Sequence, residues 1–117
     1  MHAEEIREYC LEKKGVEESF PFGETTLVFK VGGKMFLLLS LDERPVQFNV
    51  KYEPTKAIEL REKYSCVLPG YHMNKNHWNT IICDNTASKK LMLQWIDDSY
   101  QLVAGSLPVK TRRIIGL

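Results

Sequence analysis

Residues 26–41 read TLVFKVGGKMFLLLSL, two β-rich runs joined by Gly32 and Gly33. A two-residue hairpin turn needs positive φ, which glycine adopts at little cost. The stretch therefore predicts a β-hairpin with strands at Thr26–Val31 and Lys34–Leu41. No helical pattern follows the two glycines, and no further glycines stand at the spacing of a phosphate-binding loop. The pair thus indicates a turn and not a nucleotide site.

The segments on either side of the hairpin show helical or extended patterns. Apolar residues at helical spacing predict helices at Ala3–Lys14, at Glu53–Tyr64 and from an N-cap at Ser88 to Ala104. Short or alternating apolar runs predict strands at Val16–Phe20, Val46–Lys51 and Trp78–Cys83. The order α-β-β-β-β-α-β-α argues for an α+β two-layer sandwich, an antiparallel sheet with helices packed on one face.

Length and composition bound the class of protein. The 117 residues fit one domain, which we place at 1–107. The remaining residues, 108–117, form a basic tail that either docks on the sheet or stays mobile and reaches for a phosphate backbone. The longest uncharged apolar run, Met35–Leu41, is too short to cross a bilayer, and the N-terminus lacks a signal-peptide pattern. The three cysteines are widely spaced, which favours reduced thiols. We expect a cytoplasmic monomer without membrane association.

Charge is divided unevenly along the chain. Residues 1–25 hold seven acids and three bases, a net −4, whereas the remainder holds thirteen bases and eight acids, a net +5. This division allows a basic face opposite an acidic one, as in proteins that bind phosphate. The adjacent carboxylates Asp97 and Asp98 could pair with bases or bind Mg²⁺, but they point in different directions on their helix, and such groups are usually solvated. The aromatic rings of the Phe20-Pro-Phe turn are expected to pack inward.

Polar and aromatic residues are concentrated at Pro69–Thr80, which reads PGYHMNKNHWNT. Nucleic-acid binding requires cations for phosphate, amides for hydrogen bonds and aromatic rings for stacking, and this loop contains all three. The candidate nucleic-acid-binding residues are His72, Asn74, Lys75, Asn76 and His77 in the loop, with Lys51, Arg112 and Arg113 outside it; Lys30, Lys34 and Lys110 could extend the basic field. A second interpretation is structural, in which Tyr71 and Trp78 anchor the loop and the amides satisfy its backbone. For Trp78 we favour this structural role.

Metal binding and catalysis are the other chemistries open to the loop. Cys66, His72, His77 and Cys83 are potential zinc ligands, but every interval between them is looser than the tight pairs of zinc sites. Cys66 with a histidine could form a nucleophile and base, yet no orienting third group or catalytic signature accompanies them. We therefore expect no metal, no cofactor and no enzymatic activity.

Four motifs together resemble the MmcQ/YjbR family of small bacterial proteins. They are Phe20–Gly23, Thr26–Phe36, Pro69–Thr80 and Ile96–Val103. The resemblance covers residues 1–107 and excludes the tail from Lys110 to Leu117. It implies a secretion-chaperone-like or CyaY-like fold and a DNA-binding protein with a double-wing arrangement of hairpins. One branch of the family is associated with mitomycin clusters, so the resemblance also admits drug sequestration.

Taken with the residue chemistry, the resemblance leads us to expect a non-catalytic DNA-binding protein that contacts the nucleic-acid backbone through the polar loop. The alternative is a module that binds a small molecule or a protein, with Tyr71 and Trp78 forming the ligand pocket. Fold alone does not decide between them, since one fold serves many functions.

Overall fold

The computed structural model describes residues 1–71 and 73–117. Within them the elements in chain order are α1 (Ala3–Leu11), β1 (Val16–Ser19), β2 (Thr26–Val31), β3 (Lys34–Ser40), β4 (Gln47–Lys51), α2 (Pro54–Lys63), β5 (Val67–Pro69), β6 (Trp78–Ile82), α3 (Lys89–Gly105) and α4 (Val109–Ile114). The predicted α+β class and the order of its elements are confirmed. Two short elements, β5 and α4, are added to that order.

The six strands form one antiparallel sheet in the order β1-β2-β3-β4-β6-β5. Gly32 and Gly33 connect β2 to β3 with φ values of +57° and +81°, as the hairpin prediction requires. The last residue of β4, Lys51, lies at the same end of the sheet as this turn. The loop from Gly70 to His77, which connects β5 to β6, is also at this end. We call this end of the sheet, marked by the Gly32–Gly33 turn, the turn end.

One face of the sheet carries the main core and the helices. Phe29, Leu39, Phe48 and Val50 are fully buried there, and Ile6 of α1 packs in the same cluster. A buried serine on α3 joins the layers: the Ser99 hydroxyl accepts from the Lys51 amide at 2.8 Å and donates to the Phe36 carbonyl at 2.6 Å. These bonds fix the turn end of β4 against the helical layer.

The opposite face of the sheet, here called the open face, carries a second and smaller apolar cluster. Val28, Leu38 and Trp78 are buried in it, with Met35 and Met73 packed against them. Met73 comes from the loop between β5 and β6, so this loop reaches over the open face. Burial of Trp78, which is 6% exposed, agrees with the structural role favoured from the sequence.

The basic tail packs against the body of the protein through α4. Leu107 and Thr111 lie over Gly32, and Ile115 lies over Gly15; a Cβ at Gly32 would stand 2.6 Å from Leu107 Cδ1. Lys14 Nζ also donates to the Gly116 carbonyl at 3.3 Å. In the structure the tail is therefore docked at the turn end, the first of the two alternatives for it.

Asp97 and Asp98 are not simply solvated, and for Asp97 the alternative of pairing with a base is the one that the structure shows. The Tyr9 hydroxyl donates to both oxygens of Asp97, at 2.8 and 2.9 Å, and Lys13 forms an ion pair with the same carboxylate. The Tyr52 hydroxyl donates to Asp98 Oδ2 at 2.7 Å. Both carboxylates are half-buried and bind α3 to its neighbours, because phenol donors from distant elements reach them.

No helix in residues 1–71 and 73–117 combines the length and the apolar character that crossing a membrane requires.

Candidate nucleic-acid interface

The loop between β5 and β6 is shaped by its own asparagine. The Asn74 carbonyl accepts from the His77 and Trp78 amides at 3.1 and 2.9 Å, and Asn74 Oδ1 accepts from the Asn76 amide at 3.0 Å. The Gly70 amide donates to the Trp78 carbonyl at 2.9 Å and closes the base of the loop. The side-chain oxygen of Asn74 is thus used within the loop, as expected for a residue that supports irregular backbone.

An arginine that sequence analysis missed connects this loop to α2. Arg61 Nε donates to Asn79 Oδ1 at 2.7 Å, and Arg61 Nη2 donates to the Lys75 carbonyl. Asn79 is fully buried and donates in turn from Nδ2 to the Ala57 carbonyl at 3.1 Å. One available signal was Asn79, an asparagine at an inward-facing position of β6, because a buried amide requires polar partners.

The predicted loop residues lie in different environments. The Lys75 ammonium stands 5.2 Å from the centre of the Tyr71 ring, and Tyr71 is 63% exposed, so a cation and an aromatic ring face solvent together. Asn76 is exposed, whereas His77 is half-buried and its carbonyl accepts from the Tyr52 amide at 2.7 Å. His72 lies outside the described residues.

A cationic groove of about 640 Å³ runs along the open face at the turn end. It is lined by Pro21, Phe22, Lys30, Gly33, Lys34, Met35, Lys51 and Trp78. Strand register explains this convergence, because Lys51 is opposite Trp78, Lys30 is opposite Met35 and Lys34 follows the turn. All the charged residues in this lining are lysines.

Within residues 1–71 and 73–117, none of the three groove lysines forms an ion pair. Glu17 of β1 stands opposite Lys30 in register, but the two side chains do not reach ion-pair distance. By contrast, Lys89 at the start of α3 pairs with Glu5 of α1 at 2.5 Å. Within the described residues, the lysines of this groove are therefore uncompensated cations, whereas Lys89 on the helical side is paired.

Phe20 and Phe22 do not pack inward, which corrects the expectation from the sequence. They are 50% and 62% exposed, because both lie in the turn between β1 and β2 and neither packs in the core or in the apolar cluster of the open face. Phe22 lines the cationic groove on the open face. Phe20 instead lines a different groove beside α1, together with Arg7 and Glu18. Two similar rings, two residues apart, thus lie in separate grooves.

A second groove on the open face has a more neutral lining and a volume of about 290 Å³. Phe22, Thr26, Leu38, Ser40, Asn49 and Met73 line it. The Thr80 hydroxyl donates to Asn49 Oδ1 at 2.6 Å, which leaves the Asn49 amide nitrogen as a donor toward this groove. Tyr71, predicted to form a ligand pocket with Trp78, lines neither of the two open-face grooves.

The remaining candidate cations are on α4. Arg113 is exposed, while Arg112 is half-buried. Because Leu107 and Thr111 fix α4 against Gly32, both arginines belong to the turn end of the molecule. The structure thus brings Lys51 into the groove and places Arg112 and Arg113 on the neighbouring helix.

The thiols considered as ligands or nucleophiles are inside the protein. Cys66 and Cys83 are buried, and burial raises the pKa of the Cys83 thiol to about 11. In the described part of the chain, no three residues among His, Cys, Asp and Glu are grouped so that they could hold a metal. His72, one of the four residues considered as zinc ligands, lies outside the described residues.

Comparison with known proteins relates this architecture to one family. The family model described as YjbR matches residues 11–102. The uncharacterized protein YbdF of Escherichia coli O157:H7 is 38% identical over 111 residues, which cover 94% of this chain and 90% of YbdF. The uncharacterized protein YjbR of Escherichia coli K12 is 30% identical over 115 residues, which cover 98% of both chains.

Solved structures share the fold. The crystal structure of Deinococcus radiodurans protein DR2400, with domain DUF419, is 34% identical and superposes with a TM-score of 0.91 over 97% of this chain and 87% of that one. A crystal structure of a Pseudomonas syringae protein is 26% identical, with a TM-score of 0.75 over 88% of this chain and 99% of that one.

Proposed function

The chain belongs to the YjbR family, and we propose that it is a non-catalytic, cytoplasmic DNA-binding protein. In this proposal the phosphate backbone lies along the turn end of the open face. The observation that carries the proposal is the cationic groove, where Lys30, Lys34 and Lys51 converge without an acidic residue in the lining. Three ammonium groups that form no ion pair with any described residue favour a polyanion, because bound phosphates relieve their mutual repulsion and release counterions.

The cations outside the groove are arranged to continue this field. Lys75 is exposed on the loop at the turn end, and its carbonyl is fixed by Arg61, so the loop backbone has a defined position. Arg112 and Arg113 are on α4 at the same end. The acidic helix α1 lies on the other side of the sheet, which would orient an approaching polyanion toward the open face.

Fluorescence anisotropy with labelled DNA tests this proposal. We expect DNA binding that weakens as the salt concentration rises. Lys51→Gln and Lys75→Ala should each weaken binding, and each variant should lose about the same affinity for unrelated DNA sequences, because phosphate contacts are independent of sequence. Lys90→Gln is the matched control, since Lys90 is an exposed lysine on α3 in the helical layer. If Lys51→Gln and Lys75→Ala bind DNA as tightly as the wild-type protein and the Lys90→Gln control do, the assignment of the backbone contacts is refuted.

The alternative function, a module that binds a small molecule or a protein, is supported by the neutral groove of about 290 Å³. Its apolar walls with a few polar groups are typical of small-ligand sites, although its volume is at their lower limit. This alternative predicts binding that is insensitive to salt and is weakened by Asn49→Leu. A thermal-shift screen of a compound library against the wild-type protein and this variant would identify such a ligand.

A further inference from the structure

We infer that the open face binds single-stranded nucleic acid and that Phe22 provides a stacking surface for one base. This inference rests on the proposed function and specifies its substrate. Phe22 is 62% exposed and lines the groove that contains Lys30, Lys34 and Lys51. A strand held by its phosphates on these lysines would therefore bring its bases to an exposed aromatic ring.

The floor of the groove suits a base better than it suits a phosphate. Met35 and Trp78 line it there, and both belong to the apolar cluster of the open face, in which Trp78 is buried. Cations at the rim of an apolar floor match a nucleotide, whose phosphate is charged and whose base has two apolar faces. In a duplex these base faces are already stacked on their neighbours, so only an unpaired base can use such a floor.

The hairpin tip argues against insertion of a wing into a duplex groove. Direct reading of a duplex requires side chains that reach the edges of bases. Gly32 and Gly33 form the tip and have no side chains, and Gly32 is covered by Thr111 of α4 and by Leu107, which precedes that helix. The hairpin is therefore suited to forming one end of a groove and not to reading a duplex.

The neighbouring Phe20 provides a matched control. It is in the same turn and is 50% exposed, but it lines the groove beside α1 on the helical side. Phe20→Ala removes the same ring as Phe22→Ala without changing the open face. Both side chains are largely exposed, so both variants should fold, which near-UV circular dichroism can check.

The test uses anisotropy at low salt with the full chain and three labelled 12-mers: oligo-dT, the same sugar-phosphate strand without bases, and a mixed-sequence duplex. We expect oligo-dT to bind more tightly than either of the others. Phe22→Ala should weaken oligo-dT binding by at least about fivefold, which is the smallest loss of affinity expected when one base–aromatic stack is removed. The same variant should bind the abasic strand like the wild-type protein. Phe20→Ala should bind all three ligands like the wild-type protein.

The outcomes separate this inference from the proposed function. Equal binding of oligo-dT and the abasic strand, or tighter binding of the duplex, would overturn the inference and leave backbone binding in place. Unchanged oligo-dT affinity in Phe22→Ala would also overturn it. Absence of binding to all three ligands would overturn the proposed function itself.

Discussion

Replacing Arg61 by methionine should destabilise the protein through one buried amide. Arg61 Nε donates to Asn79 Oδ1 at 2.7 Å, and Asn79 is fully buried, so the variant leaves that oxygen without its charged donor. A hydrogen bond to a charged group contributes about 1.5–3 kcal/mol, and an unsatisfied buried polar group costs about 1–3 kcal/mol. We expect the free energy of unfolding to fall by about 2 kcal/mol.

Urea unfolding followed by tryptophan fluorescence measures this change. With an m-value of about 2 kcal/mol/M, the midpoint should fall by about 1 M urea. Glu62→Met is the control on the same helix, because Glu62 is exposed and forms no ion pair within the described residues, so its loss should change stability by less than about 0.5 kcal/mol. The double variant Arg61→Met with Asn79→Leu should lose less stability than the sum of the single variants, since it removes both partners of the bond.

The same variant should also change the loop. Arg61 Nη2 donates to the Lys75 carbonyl, so its loss should release the backbone at Lys75, and amide hydrogen exchange in the loop should accelerate. Arg61→Met with wild-type stability, and with unchanged exchange in the loop, would refute the interpretation of Arg61 as the residue that holds the loop on α2.

Two further predictions concern the turn and the thiols. Gly32→Ala should lower the melting temperature more than Gly33→Ala. Both residues have positive φ, but only at Gly32 would a Cβ meet Leu107 Cδ1, at 2.6 Å. Differential scanning fluorimetry compares the two variants, and equal shifts in melting temperature would contradict the packing of Leu107 and α4 over the turn. Burial raises the pKa of Cys10 to about 12 and that of Cys83 to about 11 from an ordinary 9.0. Unfolded thiols therefore lose protons before folded ones, so the free energy of unfolding should fall as the pH rises from 9 towards 12, and a flat profile in urea titrations at these pH values would be inconsistent with it.

The main elements of the fold could be predicted from the sequence because their signals are local. The two glycines at the hairpin turn specify positive φ, and the observed bounds of β2 match the predicted strand. The short strand β5 gave no such signal, since its three residues include Pro69 and it exists only by pairing with β6. Docking of the tail likewise depends on Gly32, which is remote from it in sequence.

The candidate site was less predictable because tertiary partners decide it. Lys51 was identified as a cation, but only strand register places it beside Trp78 and near the lysines of β2 and β3. Arg61 was missed because its side-chain partner, Asn79, is 18 residues away and its other partner is a backbone carbonyl. The exposure of Phe22 was predicted wrongly, because the hydrophobicity of a ring in a turn does not specify which face of the sheet it will reach.

The salt dependence of DNA binding tests the proposed function most directly. For single-stranded DNA, the logarithm of the binding constant falls with the logarithm of the salt concentration by about 0.7 for each phosphate neutralised. We expect the wild-type protein to show a clear negative slope, and the triple variant Lys30→Gln, Lys34→Gln, Lys51→Gln to reduce that slope by about 2. A folded triple variant with the wild-type slope, or a wild-type protein without binding at low salt, would contradict a phosphate-binding open face.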